Sequence, residues 1–236
     1  MSLIGVVALA GIGFPLYLAG TSAEPSSAAS LSSNEATLTY IASARLFYLI
    51  LNGIFRLGIP LLLVPAVLAA HLALKPFHRT GMVIATGFAG ATIVVGLALA
   101  PIGFSLVGLS DSYMAAPTGP ERAAVAASAA PSLRTLAAGE VLCGVLLFGW
   151  ILITSLIGRK RLFPVWMSSL GIAASVGGPL LSSLSMLLTL ILLSFSAFFF
   201  SYLIFTPLFF LPLGWFIAFG QKLYKLGRKE LGGSIS

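Results

Sequence analysis

Long apolar runs separated by short polar stretches dominate the hydrophobicity pattern of this 236-residue chain. A helix needs about 20 apolar residues to cross the hydrocarbon core of a bilayer, and six runs approach or exceed that length. The predicted spans are residues 3–20, 46–74, 81–109, 136–158, 165–184 and 202–220. The pattern therefore predicts an all-α fold: one polytopic transmembrane helix bundle over residues 1–236, with about six spans.

Two segments leave the number of spans open. Span one precedes the small residues Thr21, Ser22 and Ala23, as a cleavable secretory signal would, although no basic residue stands before it. Its removal would leave five spans and an external amino terminus. Residues 185–201 remain apolar but carry four serines, which favours an outer hairpin or interfacial segment over two further short spans. We take the six-span arrangement as the prediction.

The composition excludes a water-soluble globular domain. Charged residues make up 8% of the chain and hydrophobic residues 58%, with a mean hydropathy of +1.07, whereas a soluble domain has about 25% charged residues. The single cysteine, Cys143, lies in an apolar run and has no partner for an internal disulfide. No phosphate-binding glycine loop, nucleophile elbow or Cys/His cluster occurs, so the sequence predicts no catalytic residue, metal site or cofactor.

The basic residues predict the orientation, because Lys and Arg in short loops favour the cytoplasm. Nine of them follow spans two, four and six: Lys75, Arg79, Arg159, Lys160, Arg161, Lys222, Lys225, Arg228 and Lys229. Six spans place all nine on one side, and both termini are then cytoplasmic. The net charge of +7 thus comes from basic residues beside the spans, where anionic lipid is the nearer partner, and we predict no nucleic-acid partner. For the tail at 221–229, binding to the lipid surface and a purely topogenic role both remain open.

A polar stripe follows one face of span two. Its members are three or four residues apart, as neighbours on a helix face are: Arg45, Tyr48, Asn52 and Arg56. Span two also contains Pro60 and Pro65, which lack the amide hydrogen that an α-helix requires. The sequence therefore predicts a kinked or broken helix next to Arg56.

An acidic residue in span four lies at the depth of Arg56. Arg56 stands 18 residues before Leu74, and Glu140 stands 18 residues before Gly158, at the predicted cytoplasmic ends of spans two and four. Both are then about 27 Å from that end, at 1.5 Å per residue. A charge at this depth is costly without a partner, so we expect Arg56 and Glu140 to interact.

Three interpretations of these charges remain open. The pair can act as a structural clip between spans two and four. Alternatively, it can line an outward-facing cavity for a ligand or ion, with a ligand-binding set of Arg45, Tyr48, Asn52, Arg56 and Glu140. In the third interpretation each side chain reaches the headgroups independently.

Small residues four positions apart predict close helix packing on two spans. Span three has Gly81, Ala85 and Ala89, and span five has Ser169, Ala173 and Gly177. Packing within the chain is favoured over packing against another subunit or a second copy, but both remain open.

The segments between spans are predicted as connectors. Residues 21–39 and 110–131 are rich in Ser, Ala, Pro and Gly, which favours turns and solvated loops. A short surface helix over 119–130 is the alternative, because alanine has the highest helix propensity. His71 and His78, at the cytoplasmic end of span two, are predicted to be water-exposed.

Several short strings resemble one family. The residues from Ile54 to Ile59, the turn from Leu74 to Pro76, and the two strings from Phe163 to Trp166 and from Leu170 to Ile172 carry the resemblance. They resemble the family called domain of unknown function 4386, over residues 54–178. The resemblance implies a six-span membrane protein and brings no activity, cofactor or site residue with it.

These observations predict an integral protein of a prokaryotic cell membrane, in contact with lipids and possessing helix faces for other membrane subunits or for itself. The leading functional hypothesis is a non-enzymatic structural or accessory subunit of a membrane assembly, because few polar groups lie inside the spans. The alternative is a small transporter or binder of an anionic or amphiphilic ligand. An intramembrane lipid-processing enzyme is the third hypothesis.

Overall fold

The computed structural model describes residues 34–159, 162–177 and 214–225. Throughout these ranges the regular elements are helices, without a strand, which confirms the all-α prediction for this part of the chain. The helices are α1 (Asn34–Ser43), α2 (Arg45–Gly53), a π-helical turn (Ile54–Gly58), α3 (Ile59–Leu74), α4 (Arg79–Ala115), α5 (Gly119–Gly158), α6 (Val165–Gly177) and α7 (214–225). Span one, the last part of span five, residues 185–201 and the first part of span six lie outside the described residues.

Three helices in the described residues are long and apolar enough to cross a membrane. They are Arg45–Leu74, which joins α2, the π-helical turn and α3, then Arg79–Ala115 and Gly119–Gly158. They contain the predicted spans two, three and four. The lengths of α4 and α5, 37 and 40 residues, correspond to about 55 and 60 Å, whereas the hydrocarbon core is about 30 Å thick. Both helices therefore extend well beyond the thickness of a bilayer.

The predicted connector at 110–131 is wrong, because α4 continues to Ala115 and α5 begins at Gly119. Thr118 starts the new helix: its carbonyl accepts a hydrogen bond from the Arg122 N–H at 3.1 Å, and its hydroxyl accepts one from the Glu121 N–H at 3.4 Å. Such capping satisfies amide groups that the first turn leaves unpaired. The alternative prediction, a helix over 119–130, is closer to the observed structure, but this segment is the first part of α5 rather than a separate short helix.

Burial explains why a stretch of small residues folds as part of a long helix. One hydrophobic core joins α1, α4 and α5, and its buried members are Leu38, Ile41, Leu99, Leu106, Val107, Ala126, Ala129 and Leu136. The Ser110 hydroxyl also donates a 2.6 Å hydrogen bond to the carbonyl of Leu38. The alanines of α5 thus combine high helix propensity with a packed face, and residues 34–39 of the other predicted connector form part of α1.

The chain forms two compact units. The first contains the described residues up to Leu61 together with Ile93–Cys143, and it holds the core just described. The second contains Leu62–Thr92 and the described residues from Gly144 onward. In this second unit α7 packs on α5 through aromatic rings, with centroids 5.8 Å apart for Trp150 and Trp215.

The small-residue face of α4 is a packing face, as predicted. Ala85 and Ala89 are buried. A Cβ on Gly81 would come within 2.9 Å of the Ile157 side chain of α5, so the absence of a side chain at Gly81 lets the two helices approach closely. This contact lies within the chain, in the second unit.

The packing face of α6 differs from the prediction. Ser169 and Ala173 are exposed, whereas the adjacent face, with Ser168, Gly171 and Ala174, is buried. Gly171 lies directly against the Ser155 side chain and the Trp215 indole. The Trp215 indole packs against Gly171, where no Cβ is in the way. The buried face of α6 is therefore the one that contains Gly171 and not the predicted one.

The two histidines have different surroundings. The Nδ1 atom of His71 lies 2.7 Å from the Thr86 hydroxyl, and the ring is half-buried, so the prediction of a water-exposed imidazole is wrong there. A hydroxyl one helix away offers the ring a partner that the sequence pattern did not indicate. His78 is exposed, and its Nδ1 accepts a 2.9 Å hydrogen bond from the Gly81 N–H at the start of α4.

The core around α5 predicts a position-specific response to added volume. Ala129 is fully buried, whereas Ala127 on the same helix is exposed. We expect Ala129→Leu to lower the free energy of unfolding by about 1–3 kcal/mol, because the larger side chain overpacks the core. Ala127→Leu is the matched control and should change stability by less than about 0.5 kcal/mol. Thermal unfolding in detergent measures both, and equal losses would contradict the packing of residues 119–136.

Candidate functional site

The helix that carries the polar stripe is continuous through Pro60. A π-helical turn, Ile54–Gly58, precedes the proline, and the N–H of Ile59 bonds to the carbonyl of Ile54, five residues earlier. Because Pro60 has no amide hydrogen, the carbonyl of Arg56 loses its usual partner in an α-helix. The wider turn changes the hydrogen-bond register just before that position. The helix is therefore irregular beside Arg56, as predicted, but it is not broken, and the irregularity takes the form of a π-helical turn.

The middle of the polar stripe faces the backbone of α4. The Tyr48 hydroxyl donates a 3.1 Å hydrogen bond to the carbonyl of Gly103. The buried side-chain amide of Asn52 donates a longer one, 3.4 Å, to the carbonyl of Ala100. Two side chains of the stripe thus bind consecutive turns of one neighbouring helix, which fixes the register between α2 and α4.

Arg56 joins the stripe to α5. Its Nη1 donates to the side-chain oxygen of Asn52, and its Nη2 forms an ion pair with Oε1 of Glu140. The predicted contact between Arg56 and Glu140 is confirmed. The two side chains differ in exposure, 15% for Arg56 and 58% for Glu140. The guanidinium is therefore largely covered by protein, while one side of the carboxylate remains open.

Arg45, at the end of the stripe, has a partner that the sequence analysis missed. Its Nη1 lies 3.1 Å from Oδ1 of Asp111 on α4. Both side chains are more than half exposed, so this pair contributes little to stability. One sequence signal could have found Asp111: spans two and three run in opposite directions, so an acid just after span three lies at the level of a base just before span two.

Glycine permits the approach of α4 to the polar stripe. A Cβ on Gly103 would collide with Oδ1 of Asn52 and would lie 2.7 Å from Nη1 of Arg56. A Cβ on Gly96 would lie 2.8 Å from Cγ of the buried Pro60. Pro60 therefore packs directly on the backbone of α4, and the helix that carries the stripe approaches α4 closely at two levels, Gly103 and Gly96.

The charges of the site are balanced within the chain. Arg56 is paired with Glu140, and Arg45 with Asp111. One donor is left over, because Nε of Arg56 is buried without a hydrogen-bond partner in the described part of the chain. The arrangement can hold α2, α4 and α5 together, and it presents one open carboxylate side at Glu140. Within the same residues, no three His, Cys, Asp or Glu side chains come together as a metal site.

No family model matches the chain, and searches of curated proteins and of solved structures give no significant match. The resemblance to domain of unknown function 4386 therefore stays a prediction, and the functional argument depends on the site itself.

The Arg56–Glu140 pair should be energetically coupled. We expect Arg56→Ala and Glu140→Ala each to lower the free energy of unfolding by about 1–3 kcal/mol, because each leaves the other charge without its partner. The double variant should lose less than the sum of the two. Thermal unfolding of all four proteins in detergent measures the coupling.

The exposed pair is the matched control for that cycle. Arg45→Ala and Asp111→Ala remove another arginine–carboxylate ion pair, between α2 and α4, and their coupling should be about 0–1 kcal/mol because both partners are more than half exposed. Strictly additive losses at Arg56 and Glu140 would contradict a clip between the π-helical turn and α5.

Gly103 offers an independent test of the approach of α4 to α2. We expect Gly103→Ala to cost about 1–3 kcal/mol, because the new methyl group displaces Asn52 and Arg56. Gly108→Ala on the same helix meets no atom within 4 Å and should stabilise the protein by up to about 1 kcal/mol through helix propensity. Thermal unfolding distinguishes the two, and a stabilising Gly103→Ala would contradict the contact.

Proposed function

We propose that this chain is a non-enzymatic, multi-pass integral membrane protein that serves as a structural or accessory subunit of a membrane assembly. The observation that carries the proposal is the engagement of the polar stripe within the chain. Asn52 and Glu140 hold the Arg56 guanidinium, and the backbone of α4 binds Tyr48 and Asn52. Polar groups occupied in this way stabilise helix packing.

The proposal includes six spans with both termini in the cytoplasm of a prokaryotic cell. The distribution of charge supports it: Lys75 and Arg79 flank the turn between α3 and α4, and Arg159 directly follows α5. These positions share one side if α3, α4 and α5 each cross the bilayer, and basic residues in short loops favour the cytoplasmic side.

The exposed face of α6 supports association with another membrane helix. Ser169 and Ala173 are exposed on this apolar helix, whereas Ser168, Gly171, Ala174 and Ser175 are buried within the chain. Small residues on a lipid-facing surface let a second helix approach closely and gain van der Waals contact. A different subunit and a second copy of this chain both fit this face.

A transporter or binder of an anionic or amphiphilic ligand is the second candidate. Two features favour it: the buried Nε of Arg56 lacks an acceptor among the described residues, which a ligand would supply, and the Glu140 side chain is more than half exposed. The direct contact between Pro60 and Gly96 argues against a cavity at that level of the helix. A ligand that co-purifies with the wild type and is lost from Arg56→Lys would favour this candidate.

Photo-crosslinking in native membranes tests the accessory role. A photoreactive amino acid at Ala173 should yield a protein adduct of discrete mass, because the exposed face of α6 contacts a partner helix. The same amino acid at Val94, an exposed apolar position on α4, is the matched control and should yield lipid adducts.

The opposite outcome is equally definite. Two results together would show that the accessory role is wrong. Crosslinking at Ala173 would give no protein adduct, and the protein purified in mild detergent would be strictly monomeric with no other subunit.

A further inference from the structure

The second compact unit contains four buried polar atoms that lack a hydrogen-bond partner in the described residues. They are Nε1 of Trp150, Oγ of Ser155, Oγ of Ser168 and Nε1 of Trp215. All four residues have a relative exposure of 0%. Buried polar groups in folded proteins are almost always hydrogen-bonded, and an unpaired group points to an unseen water or ion.

Gly171 brings two of these atoms to the same place. A Cβ on Gly171 would touch both Oγ of Ser155 on α5 and Nε1 of Trp215 on α7. The Trp150 ring lies 5.8 Å from that of Trp215, and Ser168 lies one helical turn before Gly171. A hydroxyl of α5 and an indole N–H of α7 therefore lie close together against the backbone of α6, and the other two residues are buried in the same unit.

Other hydroxyls nearby show what a satisfied side chain does in these helices. Thr154 bonds the carbonyl of Trp150 at 2.7 Å, and Ser175 bonds that of Gly171 at 2.6 Å. Each returns to the backbone of its own helix, as buried Ser and Thr commonly do. Ser155 and Ser168 lack such a bond, so their hydroxyls are available to a partner between the helices.

The chemistry of these four side chains favours a small, uncharged ligand. Indole N–H groups only donate, and serine hydroxyls both donate and accept. The four side chains carry no charge, so a buried ion would lose its hydration without a counter-charge among them. Water accepts two hydrogen bonds and donates two, and it binds buried sites that offer two to four polar partners.

We propose that α5, α6 and α7 enclose a bound water that Ser155 and Trp215 hold close to Gly171. The water supplies the hydrogen bonds that the aromatic packing around Trp215 does not provide. It thereby links α7 to the two other helices from inside the core. This site is separate from the polar stripe and does not depend on the proposed accessory role.

X-ray radiolysis with mass spectrometry tests for the water directly, because hydroxyl radicals formed from a bound water oxidise the adjacent side chain. In the intact protein in detergent, Trp215 should be oxidised several-fold faster than Met82. Met82 is equally buried and also readily oxidised, and it lies on α4, outside the three helices of the proposed site. Oxidation of Trp215 at the rate of Met82 would overturn the proposal.

The sign of a stability change supplies the second test. If Ser155 is dry and unpartnered, Ser155→Ala removes a buried unpaired hydroxyl, and the melting temperature should rise. If Ser155 holds the water, the melting temperature should fall. Ser175→Ala is the matched control, because its buried hydroxyl bonds within its own helix, and the fall at Ser155 should exceed the change there.

Both results are required, and each alternative has its own signature. A fall in melting temperature for Ser155→Ala without oxidation of Trp215 would indicate a direct bond between these two side chains and would overturn the proposal. Replacing chloride with gluconate should leave the oxidation of Trp215 and the melting temperature unchanged. A dependence of either on chloride would assign the site to a halide instead of water.

Discussion

The guanidinium of Arg56 imposes the constraint on which the packing of the first compact unit depends. A charged side chain in an apolar helix is costly unless nearby groups hold its hydrogen atoms. Here Asn52 supplies one acceptor from the same helix, and Glu140 supplies the counter-charge from α5. Asn52 in turn binds the carbonyl of Ala100, so one connected network sets the register of α2, α4 and α5. Gly103 is part of the same constraint, because a side chain at that position would occupy the space of the network.

The network lies in helices that are much longer than a bilayer crossing requires. The added length of α4 and α5 packs with α1 around Leu106 and Ala129 rather than forming solvated connectors. Apolar burial between these helices therefore stabilises the first unit together with the polar contacts. In the second unit, aromatic rings supply much of the apolar packing. The Ser155 hydroxyl and the Trp215 indole N–H beside Gly171 lack a hydrogen-bond partner among the described residues.

The sequence was sufficient where periodicity and charge carry the information. It predicted the helices that contain spans two to four, and it predicted the contact of Arg56 with Glu140, because depth along a helix follows from residue count. It missed the π-helical turn, since Pro60 shows that a backbone bond is lost but not how the helix compensates. It also missed the carbonyls of Ala100 and Gly103 as acceptors for Asn52 and Tyr48, because any residue has a backbone carbonyl and the side chains at these positions do not mark it. The connector at 110–131 was misjudged because serine, alanine and proline are typical of loops, while the burial of Ala126 and Ala129 depends on other helices.

The central claim is that the charges of Arg56 and Glu140 act on each other to hold two helices together. Exchanging the two charges tests it most directly, by thermal unfolding of Arg56→Glu, Glu140→Arg and the double variant in detergent. Each single exchange brings two like charges into contact and should lower the melting temperature, whereas the double exchange restores an opposite pair and should recover most of the loss. A double variant as unstable as the sum of the two single variants would contradict the claim.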